Sequence, residues 1–374
     1  MILTIIIISI LYTALIWYFA FGFDKVPTYK LTNLPDKTRF SILIPFRNEA
    51  ENLLDLLKSI DQLNYPNSLF EIIFIDDDSS DTSSKIITEF FSEKSINASV
   101  ITNHRQTNSP KKDAITTAIK QAKYDWIITT DADCTLPKYW LDSFNEFIQK
   151  TNANCIAAPV SYHNQKSFLN HFQTLDILSL QGATIGGFGI KKPFLCNGAN
   201  LAYTKTLFKT VNGFEGNSNI ASGDDIFLLE KAAKMYGKQL HYLKCEHAIV
   251  KTNAQPNWRS LIEQRLRWAS KTSAYNNNFG KLTGLVVLLS NALIISLLLL
   301  SVFGYFSLKT MSYVLVIKFS IDFYLLHKTA VFFNQRPVLK SFIPAFFIYP
   351  FFSVYIAFLS IFKTYTWKGR TFKK

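Results

Sequence analysis

A mostly parallel α/β domain held between apolar membrane segments is the fold class that this sequence predicts, and three observations predict it. Strand-like apolar runs alternate with helical stretches between Phe40 and Thr130. Short acidic motifs follow the second and third of those runs. Long uncharged apolar stretches lie towards both ends of the chain. At 374 residues, 48% hydrophobic and 15% aromatic, the chain can build one soluble domain plus several membrane segments.

The elements follow in order. Ile2 to Phe21 is almost wholly apolar and about long enough to cross a ~30 Å hydrocarbon core as a helix. Its first charges, Asp24, Lys25 and Lys30, come after the apolar run, unlike a secretory signal, so residues 1–22 read as an anchor. Phe40 to Pro45 reads as a buried strand and Ala50 to Leu63, with leucines at helical spacing, as a helix. Phe70 to Ile75 is the next strand, Thr82 to Phe91 a helix, Lys112 to Ala122 another, and Trp126 to Thr130 a third strand. Alternation of this kind implies a parallel sheet with ligands beyond the carboxyl ends of its strands.

In the membrane region, residues 282–362, Leu285 to Phe306 and Ser341 to Phe362 carry no charge. Between them, Tyr313 to Phe333 carries Lys318, Asp322, His327 and Lys328, each charge costing roughly 2.5–3.5 kcal/mol at mid-bilayer. The basic tail, residues 363–374, favours the cytoplasm by the positive-inside bias, which requires Tyr313 to Phe333 to lie at the interface or re-enter. The expected location is the inner membrane of the cell, multi-pass, with a cytoplasmic catalytic domain. The formal charge of +13 reads as membrane flanks. The motifs lack the basic and aromatic interleaving of a nucleic-acid binder, so no nucleic-acid partner is expected. Cys134, Cys155, Cys196 and Cys245 are too widely spaced for a zinc site or a disulfide framework.

Five motifs lie within residues 38–271: Ser41-Ile-Leu-Ile-Pro-Phe-Arg-Asn-Glu49, Ile75-Asp-Asp-Asp-Ser-Ser-Asp81, Thr130-Asp-Ala-Asp-Cys134, Gly223-Asp-Asp225 and Gln264-Arg-Leu-Arg-Trp268. Asp76 and Asp77 could accept hydrogen bonds from a base or a ribose. Equally, they could belong to a turn and helix cap, the reading that suits Asp81. Asp131 and Asp133, at i and i+2, suit a divalent ion that also touches phosphate, although such a pair taken alone reads more readily as a loop or cap. Asp224 and Asp225 precede an apolar helical run, where a carboxylate can take a proton from a hydroxyl or cap the helix. Gln264, Arg267 and Trp268 fall at i, i+3 and i+4 of a basic helix. There Arg267 could hold a diphosphate and Trp268 pack on a sugar, or the arginines could meet lipid phosphates.

Together these motifs resemble those of family 2 glycosyltransferases, in the membrane-integrated branch that includes cellulose and hyaluronan synthases and ceramide glucosyltransferases. The resemblance implies a GT-A, Rossmann-like catalytic domain over residues 38–271. It implies a nucleoside pocket at Pro45, Arg47, Glu49, Asp76 and Asp77, and a phosphate contact at Lys112 in Lys112-Asp-Ala-Ile115. Asp131 also belongs to the donor site, and with Asp133 it would hold Mg²⁺ or Mn²⁺. Asp224 and Asp225 supply the catalytic pair, with Asp225 the general base. Gln264, Arg267 and Trp268 hold the donor, and Asn197 and Gly198 lie with Trp268 near the acceptor. The family's Thr-Glu-Asp stands here as Ser222-Gly-Asp-Asp225. Thr366-Trp-Lys-Gly-Arg370 resembles a tail of this branch that lies on the cytoplasmic side.

The expected function is inverting transfer of a sugar from a nucleotide-sugar donor, with UDP the family's usual nucleotide, to a lipid or lipid-linked acceptor at the membrane. A short processive polysaccharide synthase, or a non-enzymatic membrane scaffold with a degenerate transferase domain, are the alternatives.

Overall fold

The structure is a computed structural model that describes residues 2–271, 274–368 and 370–372. Met1, Gly369, Lys373 and Lys374, parts of the anchor and tail expectations, lie outside the described residues.

The strands, in chain order, are β1 (Phe40–Phe46), β2 (Phe70–Asp76), β3 (Ala98–Thr102), β4 (Trp126–Thr129), β5 (Cys134–Thr135), β6 (Cys155–Ala157), β7 (Val160–Tyr162), β8 (Leu201–Thr204), β9 (Leu240–Tyr242), β10 (Val250–Thr252), β11 (Tyr365–Trp367) and β12 (Arg370–Phe372). Seven of them form the central sheet in the order β3-β2-β1-β4-β8-β6-β9. β1 lies parallel to both β2 and β4, and β2 to β3. Only β8 runs against its neighbours, β4 and β6. Phe40, Ile42, Leu43 and Ile44 of β1 are all fully buried, because helices cover both faces of a parallel sheet and leave no solvent side. That burial explains the unbroken apolar runs in β1 and β2.

The chain goes from β1 out to β2 and β3 and returns to β4 on the other side of β1. The crevice at the carboxyl ends of β1 and β4 is therefore a topological switch point, where such sheets bind ligands. The motifs that follow β1, β2 and β4 all emerge there. A small sheet, β5-β10-β7, flanks it.

Among the described residues, three helices are long and apolar enough to cross a membrane: Ile2–Lys25, Asn278–Val302 and Arg336–Phe362. The intervening segment, expected to lie at the interface or to re-enter, is a continuous 25-residue helix, Leu308–Phe332, and does not count among those three. Its charged residues are paired. Lys318 Nζ lies 2.7 Å from Asp322 Oδ2, Tyr12 donates to Asp322 Oδ1 at 2.5 Å, and Lys328 meets Asp24 at 2.5 Å. The N-terminal helix thus supplies Tyr12 and Asp24 as partners for Asp322 and Lys328.

Ile2–Lys25 also crosses the helix Phe168–Gly189 closely. A Cβ at Gly186 or Gly189 would collide with the backbone carbonyls of Phe19 or Gly22. The last long helix, Phe342–Phe362, packs against Trp258–Ser270 and Asn278–Val302. It then delivers the hairpin β11-β12 to the catalytic domain.

Candidate active site

The switch point opens into a cavity of about 520 Å³. Pro45, Arg47 and Glu49 from the end of β1, Asp77 after β2, and Asp131 and Asp133 after β4 line it. Asn197, Gly198, Asp224 and Asp225 close the floor, and Gln264, Arg267 and Trp268 form the wall nearest the membrane helices. Two of the expected residues lie elsewhere. Asp76 accepts from Ser79 N at 2.8 Å and from Ser84 Oγ at 2.6 Å, so it closes the turn. Lys112 points to the other side of its helix and is 2% exposed. It donates to the carbonyls of Asn217 (2.7 Å) and Ile220 (2.8 Å).

The lysine that enters the cavity is Lys111, one residue and about 100° of helix earlier. Its Nζ lies 2.7 Å from Asp131 Oδ1 and 3.3 Å from Asp224 Oδ2. Burial disfavours its ammonium, but Asp131 and Asp224 outweigh burial and raise its pKa. Lys112 is pushed by burial down to about 8, against a weaker opposing pull from Asp224.

At the end of the cavity nearest β1 and β2, Asp77 Oδ1 accepts from Arg105 Nε and Asn103 Nδ2, both at 2.7 Å, while Oδ2 accepts from Arg370 Nη1 at 2.6 Å. Glu49 Oε2 accepts from Asn52 at 2.7 Å, and its Oε1 lies 2.5 Å from Lys368 Nζ. Arg47 ties the two loops together by donating to the Asp77 and Asp78 carbonyls at 2.7 Å. The tail cations Lys368 and Arg370, together with Arg105, Lys111 and Lys271, were not picked out as site residues from the sequence.

The acidic pair sits at the start of the helix Asp224–Tyr236. Gly223 before it has φ +87°, and any side chain there would be strained and would press on the Phe227 ring. Gly198 is equally constrained, since a Cβ would come 2.9 Å from Asp224 Oδ2. Its N–H instead donates to Asp225 Oδ2 at 3.1 Å, and Ile226 N donates to Asp225 Oδ1 at 2.8 Å. The two carboxyls are driven apart in pKa. Burial raises Asp224, aided by Asp225 and Asp131 and opposed by Lys111. For Asp225, burial is outweighed by Lys271, Lys111 and the two N–H groups, and its pKa falls.

Asp131 and Asp133 offer the oxygen ligands that Mg²⁺ or Mn²⁺ prefers. Burial, then repulsion from Asp131 and Glu49, pushes Asp133 up to about 6, a strain that a bound cation would relieve. Among the described residues no group of three or more His, Cys, Asp or Glu forms a metal cage. Two carboxylates are what the protein offers, with water and phosphate left to complete the shell.

Comparison with known proteins agrees with this geometry. The profile of Glycosyl transferase family 2 matches residues 41–210, and that of Glycosyl transferase family group 2 matches residues 126–360. A probable glycosyltransferase YdaM of Bacillus subtilis is 25% identical over 250 residues, 66% of this chain and 57% of that protein. A poly-beta-1,6-N-acetyl-D-glucosamine synthase of Staphylococcus epidermidis is 31% identical over 146 residues, 38% of this chain and 33% of that protein. The chain thus spans about half or less of these curated relatives. The solved mannosyltransferase PcManGT from Pyrobaculum calidifontis, in complex with GDP-Man and Mn²⁺, superposes with a TM-score of 0.57 at 14% identity, covering 96% of this chain and 98% of that one. The fold is therefore of the GT-A kind. With the second profile alone covering more than half of the chain, this protein belongs to the family 2 glycosyltransferases.

Proposed function

We propose that this chain is a membrane-bound, metal-dependent, inverting glycosyltransferase that passes a sugar from a nucleotide-sugar donor to a lipid or lipid-linked hydroxyl. One observation carries the reading. A single cavity gathers the acidic residues after three parallel strands, a carboxyl pair with separated pKa values, and a helix whose other side packs on a membrane segment.

The nucleoside lies at Arg47, Glu49 and Asp77, whose carboxylates can accept from a base or ribose. UDP is the nucleotide expected by resemblance, while the GDP-mannose of the Pyrobaculum enzyme supports a nucleotide-sugar donor without fixing the base. Asp131 and Asp133 hold Mg²⁺ or Mn²⁺, which when bound offsets charge on the departing diphosphate. Lys111, Lys271 and Arg267 add fixed positive charge around the same position. Asp225, held ionised by Lys271, Lys111 and two N–H groups, takes the proton of the acceptor hydroxyl. The acceptor oxygen then attacks the anomeric carbon as the bond to the diphosphate breaks, which inverts the centre in one step. Trp268 packs on the sugar, and Asn197 and Gly198 lie on the acceptor side.

The three membrane-length helices and the basic flanks support an inner-membrane, multi-pass location with a cytoplasmic catalytic domain and tail. That the tail cations Lys368 and Arg370 line the same cavity as Asp224 and Asp225 supports tail and domain sharing a side. NMR of the product formed from an α-linked donor tests the reaction class: a β-linked product supports it, and an α-linked one contradicts it. The match to a polysaccharide synthase favours a second reading, a short processive synthase, recognised by a ladder of product lengths in place of a single addition.

A further inference from the structure

Arg265, the residue after Gln264 in Gln264-Arg-Leu-Arg-Trp268, faces away from the cavity and is 6% exposed. Its Nε lies 2.7 Å from Asp176 Oδ2 in an ion pair buried on both sides. From that anchor it holds two cavity residues. Nη1 donates to Gln264 Oε1, and the guanidinium lies 4.1 Å from the centre of the Trp268 ring. Asp176 belongs to the helix Phe168–Gly189, which the membrane helices grip along its length. Gly186 and Gly189 abut Phe19 and Gly22 of the N-terminal helix, and Gly182 abuts Thr329. Tyr349 of the last long helix stands against the Asp176 carboxylate.

We propose that Asp176 and Arg265 are a positioning pair, through which the packing of the membrane helices sets Gln264 and Trp268 in the acceptor wall of the cavity. The inference rests on the reading of Trp268 as an acceptor-side residue, with Asn197 and Gly198. An Arg265 free to turn would leave Trp268 without the cation beneath its ring and Gln264 without a fixed amide. Neither residue of the pair touches a substrate. A planar fork is needed to reach three partners at once, which a lysine cannot do.

The test uses the full-length protein in detergent and two readouts: hydrolysis of a nucleotide sugar in water, and transfer to octyl glucoside, a sugar hydroxyl on an alkyl chain. Asp176→Asn leaves a buried guanidinium unpaired and can unfold the chain. The decisive variant is therefore Asp176→Leu with Arg265→Met, which removes both charges. It should melt where the wild type does, with KM for octyl glucoside raised about tenfold or more and donor hydrolysis changed far less. Arg265→Lys should keep the fold but share the raised acceptor KM. A double variant with wild-type acceptor KM overturns the proposal, as does one in which hydrolysis and transfer fall in equal proportion. If the wild type hydrolyses donor but never transfers to octyl glucoside, the acceptor-wall reading fails and takes the pair's role with it. A wild type that turns over no nucleotide sugar contradicts the functional reading itself.

Discussion

The Arg370 guanidinium lies 2.6 Å from the Asp77 carboxylate, a residue 293 positions earlier in the chain, and Lys368 meets Glu49 in the same way at 2.5 Å. The tail therefore brings positive charge to two carboxylates that, under the proposed function, lie beside the nucleotide. Arg370→Ala should raise donor KM about tenfold, equivalent to about 1.4 kcal/mol, with a smaller change in kcat. Donor titration of the variant checks this, and an unchanged KM would make the tail a bystander.

The surroundings of the acidic pair push Asp224 up and Asp225 down in pKa, which suits the proposed mechanism's use of Asp225 as the base. Asp225→Asn should cut transfer by about 10²–10⁴-fold, the usual worth of a general base. Nucleoside diphosphate binding, measured by calorimetry, should be retained. Full transfer by this variant would remove Asp225 from the mechanism.

Asp133 sets an acid limit. Its folded pKa of about 6 lies above the unfolded carboxyl value of about 3.9, so between these pH values the folded chain holds more protons than the unfolded one. Its contribution to stability is present below the unfolded value and is lost as pH rises through about 6. Metal binding runs in the opposite direction, because a ligand carboxyl must be ionised. Apparent Mn²⁺ affinity should fall by up to about tenfold per pH unit below 6, and Asp133→Asn should remove that slope. A flat profile from pH 5 to 7 would contradict the assignment.

Lys111 and Lys112 should separate cleanly. Lys111→Met removes a cation from the cavity and should act on donor KM and kcat with little effect on melting. Lys112→Met takes the Lys112 donor from the Ile220 carbonyl and one of two donors from the Asn217 carbonyl, which keeps the Ile220 N–H, at about 1–3 kcal/mol. It should lower the melting temperature and loosen the loop that leads to Gly223. Equal effects of the two variants on melting would refute the distinction.

The sheet was legible where burial on both faces had written long apolar runs, as in Phe40–Phe46 and Phe70–Asp76. β6, β8 and β9 have only three or four residues each and exist through their neighbours, so no local pattern announces them. Carboxylates directly after strands were readable because a parallel sheet puts those positions at its ligand crevice. Asp76 misled because adjacent residues at a strand end point to opposite sides, and either aspartate of the pair could have closed the turn. Lys111 and Lys112 differ only in helix register. The pairing of Tyr12 with Asp322, and of Asp77 with Arg370, joins opposite ends of the chain and leaves no trace in spacing.

Release of nucleoside diphosphate by the purified protein, across a panel of nucleotide sugars with Mn²⁺, Mg²⁺ or EDTA, is the most direct test. Turnover of at least one donor that EDTA abolishes, and that Asp131→Asn reduces, is the expected result. No release from any donor, with metal and membrane lipid present, would contradict catalysis and leave a transferase fold serving as a scaffold.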